Sequence, residues 1–162
     1  MFDHLVANAS PLIFLSRVGG YAWLLNLSSG HIHVPQAVIG EIDAGADGGE
    51  VLGQIESHDR FTAVADCEVP RVVAAWDLGA GETQVLSHCS QFPKAVAVLD
   101  DRLARQCAQS LGIRVIGTLG VVLAAKRRGF VPAARPVVDQ LVAKGLYLAP
   151  DLIAAALREV GE

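Results

Sequence analysis

The sequence predicts an α/β fold with a five-stranded, mostly parallel sheet, and three observations carry that reading. Five short β-like runs occur along the 162 residues, at 5–7, 31–34, 61–65, 95–99 and 113–116, and helical stretches separate them. Strands alternating with helices mean βαβ units and parallel pairing. Several runs, AVAVL at 95–99 among them, are continuously apolar, as strands covered on both faces are. The chain is also 52% hydrophobic and only 19% charged, a composition for extensive two-sided burial.

The elements follow in order. LVANASPLIFL at 5–15 reads as a buried strand, a turn at Asn8, and a helix with Ser10 as N-cap and Pro11 at its first position. This puts Asn8 and Ser10 at a strand's carboxyl end, the edge where open parallel sheets bind ligands. A helix over 21–27 precedes HIHV at 31–34, which Pro35 ends. Pro35 then opens a helix reaching Asp43, and AGADGG at 44–49 reads as a mobile loop. FTAVA at 61–65 is the third strand. The spacing of Val85, Leu86 and Cys89 predicts a helix over 81–89, and that of Leu103, Ala104, Cys107 and Leu111 a helix over 102–111, ended by Gly112. After IRVI at 113–116 come helices at 119–128, 132–144 and 150–160, punctuated by Gly129, Pro132, Gly145 and Pro150. They read as a C-terminal helical extension, about 118–162, packed on a single domain spanning 1–162.

Charge and cysteine content narrow the classes. Thirteen Lys and Arg against 17 Asp and Glu give a net charge of -4, which lacks the footprint of a strong nucleic-acid binder but admits a nuclease acting through metal ions. Cys67, Cys89 and Cys107 are odd in number and widely spaced, so neither a disulfide framework nor a zinc pattern is present. A reducing, cytoplasmic setting is expected. Every apolar run is interrupted before it could cross a bilayer, and Asp3 stands where a secretory signal would be basic.

The candidate chemistry lies in acids near strand ends. Glu41 falls in the helix after the second strand, Glu82 at the start of a helix, and Asp100 and Asp101 at the end of the fourth strand. With Asn8 they can converge on one sheet edge. Clustered carboxylates repel, so such a group holds a cation or shares protons. Oxygen donors without His or Cys suit Mg²⁺ or Mn²⁺, and the corresponding chemistry is phosphodiester hydrolysis. Taken singly, each residue has an ordinary explanation. Glu41 can be a solvated helix residue, Glu82 a favourable charge at a helix N-terminus, Asp100 or Asp101 an N-cap, and Asn8 a turn former. Only their joint placement points to a site.

Other features are weaker. Gly79-Ala80-Gly81 is a fragment of a dinucleotide fingerprint without a clear strand before it. Lys126, Arg127 and Arg128 suit either a helix C-terminus or a phosphate-contacting patch. His31 and His33 face one side of a strand but have no third ligand, and Ser10 has no His-Asp partners for nucleophilic catalysis.

NASPLIFL at 8–15, VPQAVIGEI at 34–42, GETQVL at 81–86, LDDRLAR at 99–105 and IGTLGVVLAAKRRG at 116–129 resemble, in this order, the PIN-domain proteins. The resemblance covers nearly the whole chain, within a branch known only as predicted nucleic-acid-binding. It implies a three-layer α/β/α sandwich and a Mg²⁺- or Mn²⁺-dependent ribonuclease, of the kind found as toxins of toxin–antitoxin pairs. It further implies that Glu41 is the second acidic position, Glu82 the third, and Asp101 the fourth with Asp100 able to take its place. Ser10 is the small polar residue near the first position, and Thr118 is placed at the same pocket. The first position departs from the pattern, because Asn8 stands where the family has Asp.

The expected function is therefore an RNA-cleaving enzyme in which Glu41, Glu82 and Asp101 hold the cation while Asn8 and Ser10 orient water or ligand. The alternative is a catalytically impaired module that binds nucleic acid or a small antitoxin. A Rossmann-like nucleotide binder is a third. Homo-oligomerisation is expected from the apolar composition and the family.

Overall fold

The strand Leu5–Ala7 (β1) runs down the middle of the sheet and is buried at every residue. In the computed structural model, which describes residues 1–162, it pairs on one side with Ile32–Pro35 (β2) and on the other with Val96–Val98 (β4). Phe61–Val64 (β3) lies outside β2, and Arg114–Ile116 (β5) outside β4. All four pairings are parallel, in the order β3-β2-β1-β4-β5. The chain leaves β1 toward one edge through β2 and β3, then returns to the other side for β4. The order reverses between β1 and β4, and in such sheets ligands bind in the crevice beyond the carboxyl ends at that point.

Helices connect the strands. Ala9–Arg17 (α1) and Tyr21–Leu25 (α2) lie between β1 and β2. Gln36–Asp43 (α3) and Gly48–Glu56 (α4) lead to β3, and Arg71–Ala74 (α5) and Ala80–Gln91 (α6) to β4. Arg102–Ser110 (α7) leads to β5, and Thr118–Arg127 (α8), Arg135–Ala143 (α9) and Pro150–Arg158 (α10) complete the chain. A core of 28 buried residues surrounds the sheet, with Leu5, Ile32, Leu86 and Leu99 wholly enclosed. A second group, including Val122, Val138, Leu141 and Leu157, joins the last three helices. Trp23 packs against both.

Several expectations are revised. The first helix starts at Ala9, so its N-cap is Asn8 and Pro11 is its third residue, within the first turn. Ser10 does not cap because its hydroxyl is engaged elsewhere, on Asp100. The supposed mobile loop at 44–49 is a short turn whose last two residues already belong to α4. A Cβ at Gly48 would meet the Ile42 carbonyl oxygen at 2.3 Å, so this close approach requires glycine. The helix α5 had no signal in the apolar spacing; it is a single turn anchored by the buried Val73. Pro35 ends β2, pairs in register with Val64 and precedes α3 as its N-cap. Gly112, with φ +69°, closes α7 as expected, and Ile113 N–H donates to the Ala108 carbonyl at 2.9 Å.

Candidate acidic site at the carboxyl edge of the sheet

Asn8 is the first residue beyond β1. Its N–H continues the ladder to the Val98 carbonyl at 3.1 Å, which fixes it at the point where the strand order reverses. Its side chain is 2% exposed, and Nδ2 donates to Glu82 Oε1 at 2.9 Å. The amide oxygen Oδ1 is buried and has no hydrogen-bond partner.

Glu82 reaches Asn8 from the first turn of α6, where the helix dipole favours a carboxylate. Its other oxygen lies 2.5 Å from where a Gly79 Cβ would stand, so the side chain folds back over a glycine. Glu41 arrives from α3, and its Oε1 accepts the Gly81 N–H at 2.8 Å. That N–H is one of the unpaired donors of the α6 N-terminus. A Cβ on Gly81 would lie 2.5 Å from Glu41 Oε2 and 2.7 Å from Asn8 Oδ1. The glycine thus lets an amide oxygen and a carboxylate oxygen approach one helix start together.

The other half of the site joins β4 to β5. Asp100 Oδ1 accepts the Thr118 N–H at 2.8 Å; Oδ2 accepts the Thr118 hydroxyl at 2.7 Å and the Ser10 hydroxyl at 3.1 Å. Thr118 is fully buried. Asp101 faces its own helix, where Oδ1 accepts the Ala104 N–H at 2.8 Å as the N-cap of α7. Of the two neighbours, Asp100 is the one beside Ser10 and Thr118, whereas the resemblance put Asp101 first at the fourth acidic position. Arg105, one turn along α7, donates from Nη1 to the Leu99 carbonyl at 3.0 Å. Across Gly117 it stands near Asp100: a Cβ there would meet Nη1 at 2.8 Å and Oδ1 at 3.0 Å.

Asn8, Glu41 and Glu82 therefore form one group around Gly81, and Ser10, Asp100 and Thr118 a second. No three His, Cys, Asp or Glu side chains gather closely enough to form a ready-made metal cage. The donors nonetheless fit a hard cation in kind. The Asn8 amide oxygen is buried without a partner, and the Glu41 carboxylate converges with it on Gly81. Gly79, Gly81, Gly117 and Arg105 were not read as parts of the site. The signal available was Gly-x-Gly directly before an acid, where absent side chains permit close approach.

The remaining sequence features lie elsewhere. His31 Nδ1 is 2.9 Å from Thr62 Oγ1, and His33 meets His4 edge-to-face with ring centroids 4.3 Å apart. Arg127 pairs with Glu159 at 2.8 Å, while Lys126 lies near Glu162. The Arg128 guanidinium donates to the Asn26 carbonyl. The basic run thus contacts both the C-terminal segment and the end of α2. No helix is long and apolar enough to cross a membrane.

The fold is that of an α/β protein with a parallel sheet and two groups of hydrogen-bonded carboxylates near its switch point, a nuclease-like architecture. The family model described as a PIN domain matches residues 4–162, and the chain belongs to that family. Comparison with curated proteins finds no match.

Proposed function

We propose that this PIN domain is a Mg²⁺- or Mn²⁺-dependent endoribonuclease. The observation that carries the reading is the buried, unpartnered Asn8 Oδ1 converging with Glu41 on Gly81 at the strand switch point. Asn8, Glu41, Glu82 and Asp100 are the residues that would hold the ion. A bound divalent cation would supply positive charge for a phosphodiester and make water more acidic. The chain's own part is to orient and to exclude. Ser10 and Thr118 hold Asp100 in one rotamer through three hydrogen bonds. Gly81 N–H holds Glu41, and Asn8 holds Glu82. Arg105 is a cation near Asp100 across Gly117 and the candidate contact for an RNA phosphate.

Within this reading the protein is the toxin of a toxin–antitoxin pair, with a small antitoxin protein as partner, and works as a homo-oligomer in the cytoplasm. Exposed apolar residues on the C-terminal helices and the loop between them, Val142, Tyr147 and Leu152, support an assembly surface there. The test is cleavage of mixed RNA by the purified chain with Mn²⁺. Glu41→Gln should lower the rate about 100-fold or more, and chelator should abolish it. Undiminished cleavage by a Glu41→Gln/Glu82→Gln variant overturns the assignment.

The neutral residue at position 8 favours a second reading, a PIN-like module that binds nucleic acid or antitoxin without cutting. Absence of cleavage, with no recovery in Asn8→Asp, would select it.

A further inference from the structure

We propose that the Asn8 amide replaces a cation in holding the acidic group together, its NH₂ compensating Glu82 while its oxygen is the one neutral donor left for an incoming divalent ion. The inference rests on reading the pocket as a divalent-cation site. Each carboxylate is matched by a donor from the chain itself. Glu41 takes the Gly81 N–H, Asp100 takes Thr118 and Ser10, and Glu82 takes Asn8 Nδ2. Charges that would otherwise repel are thereby compensated with no ion present.

Asn8 is the member of this set with no alternative. It is 98% enclosed, and its backbone is fixed between the β1–β4 ladder and the start of α1. With its NH₂ turned to Glu82, its oxygen is left buried and unpaired on the Gly81 side. A buried polar atom without a partner is unfavourable, so the Glu82 bond has to compensate for it. The same orientation gives any ion one amide oxygen while keeping a Glu82 oxygen occupied. An aspartate at position 8 would set two carboxylates at the 2.9 Å now spanned by a hydrogen bond. That arrangement requires a cation or a shared proton. Position 8 thus decides whether the pocket is neutralised from within or by metal.

The test uses the full chain, freed of metal, with thermal melting in EDTA and in excess MnCl₂, and Mn²⁺ binding by calorimetry. Wild type should fold fully in EDTA and gain less in melting temperature from MnCl₂ than Asn8→Asp does. Asn8→Asp should melt lower in EDTA, regain stability in MnCl₂, and bind Mn²⁺ about tenfold tighter or more through its added charge. The proposal is overturned if Mn²⁺ raises the wild-type melting temperature as much as that of Asn8→Asp, or if Asn8→Asp loses nothing in EDTA. Should Asn8→Asp fail to fold without metal, Asn8→Asp/Glu82→Gln exchanges acid and amide and restores one donor and one acceptor. This variant should recover wild-type stability in EDTA, and failure to do so also overturns the proposal. RNA cleavage is read separately: no cleavage by any variant, with these metal responses intact, removes the ribonuclease reading and leaves this one.

Discussion

Asp100 and Asp101 are adjacent and chemically identical, yet they have different surroundings. Asp101 satisfies an N–H of its own helix, and Asp100 receives three donors from two distant segments. Removing the cap in Asp101→Ala should lower stability by about 1 kcal/mol in urea titrations. Asp100→Ala should reduce RNA cleavage far more than Asp101→Ala does, and the reverse order would exchange their roles. Asn8, Glu41 and Glu82 could be nominated from sequence because each stands at a strand end, at a helix start, or in the helix that follows a strand. The choice between the two aspartates could not, since it depends on where Ser10 and Thr118 arrive from other parts of the chain.

At the scale of elements, the strands were legible and two helices were not. The helix α4 begins with Gly48 and Gly49, each unfavourable in a helix by about 1 kcal/mol relative to Ala. Burial of Val51 and Ile55 compensates, and this burial exists only once α3 and α4 have met. A second element-scale feature is the contact of β1's entry with β2 and α6. His4 meets His33 edge-to-face and lies against the tilted ring of Phe92. Burial first, and then the neighbouring His88, hold the His4 pKa below its ordinary 6.5; burial and then His4, His88 and His31 do the same for His33. Below that ordinary value the unfolded chain takes up protons that the folded chain resists. Stability should therefore be full at about pH 7.5 and fall as the pH drops through 6.5 toward the depressed folded values. Urea titrations at about pH 7.5 and pH 5.5 check the sign, and His33→Gln should flatten the dependence.

Over the whole molecule, the sheet core and the helical cluster of the C-terminal segment share Trp23. If they form one cooperative unit, Leu141→Ala should cost about 2–5 kcal/mol and shift a single transition. Far-UV circular dichroism and tryptophan fluorescence should then coincide through the transition. Two separated transitions would make the helices after residue 118 an independent unit. The free thiols fit this picture of enclosure. Cys89 and Cys107 are buried, and burial pushes the Cys89 thiol up to about 12, which leaves it unreactive.

The sequence by itself determined the parallel α/β class and the five strands within a residue or two, because apolar runs and turn residues act locally, and the resemblance of five ordered motifs pointed to the family. It also placed an amide where an acid is usual. Tertiary structure decided which oxygens are held by which donors. It set Glu41 and Asn8 on either side of Gly81, turned Asp100 toward Thr118, and left Asn8 Oδ1 unpartnered. Those relations join residues from 18 to 90 positions apart, and only the order of strands in the sheet brings them within hydrogen-bonding distance.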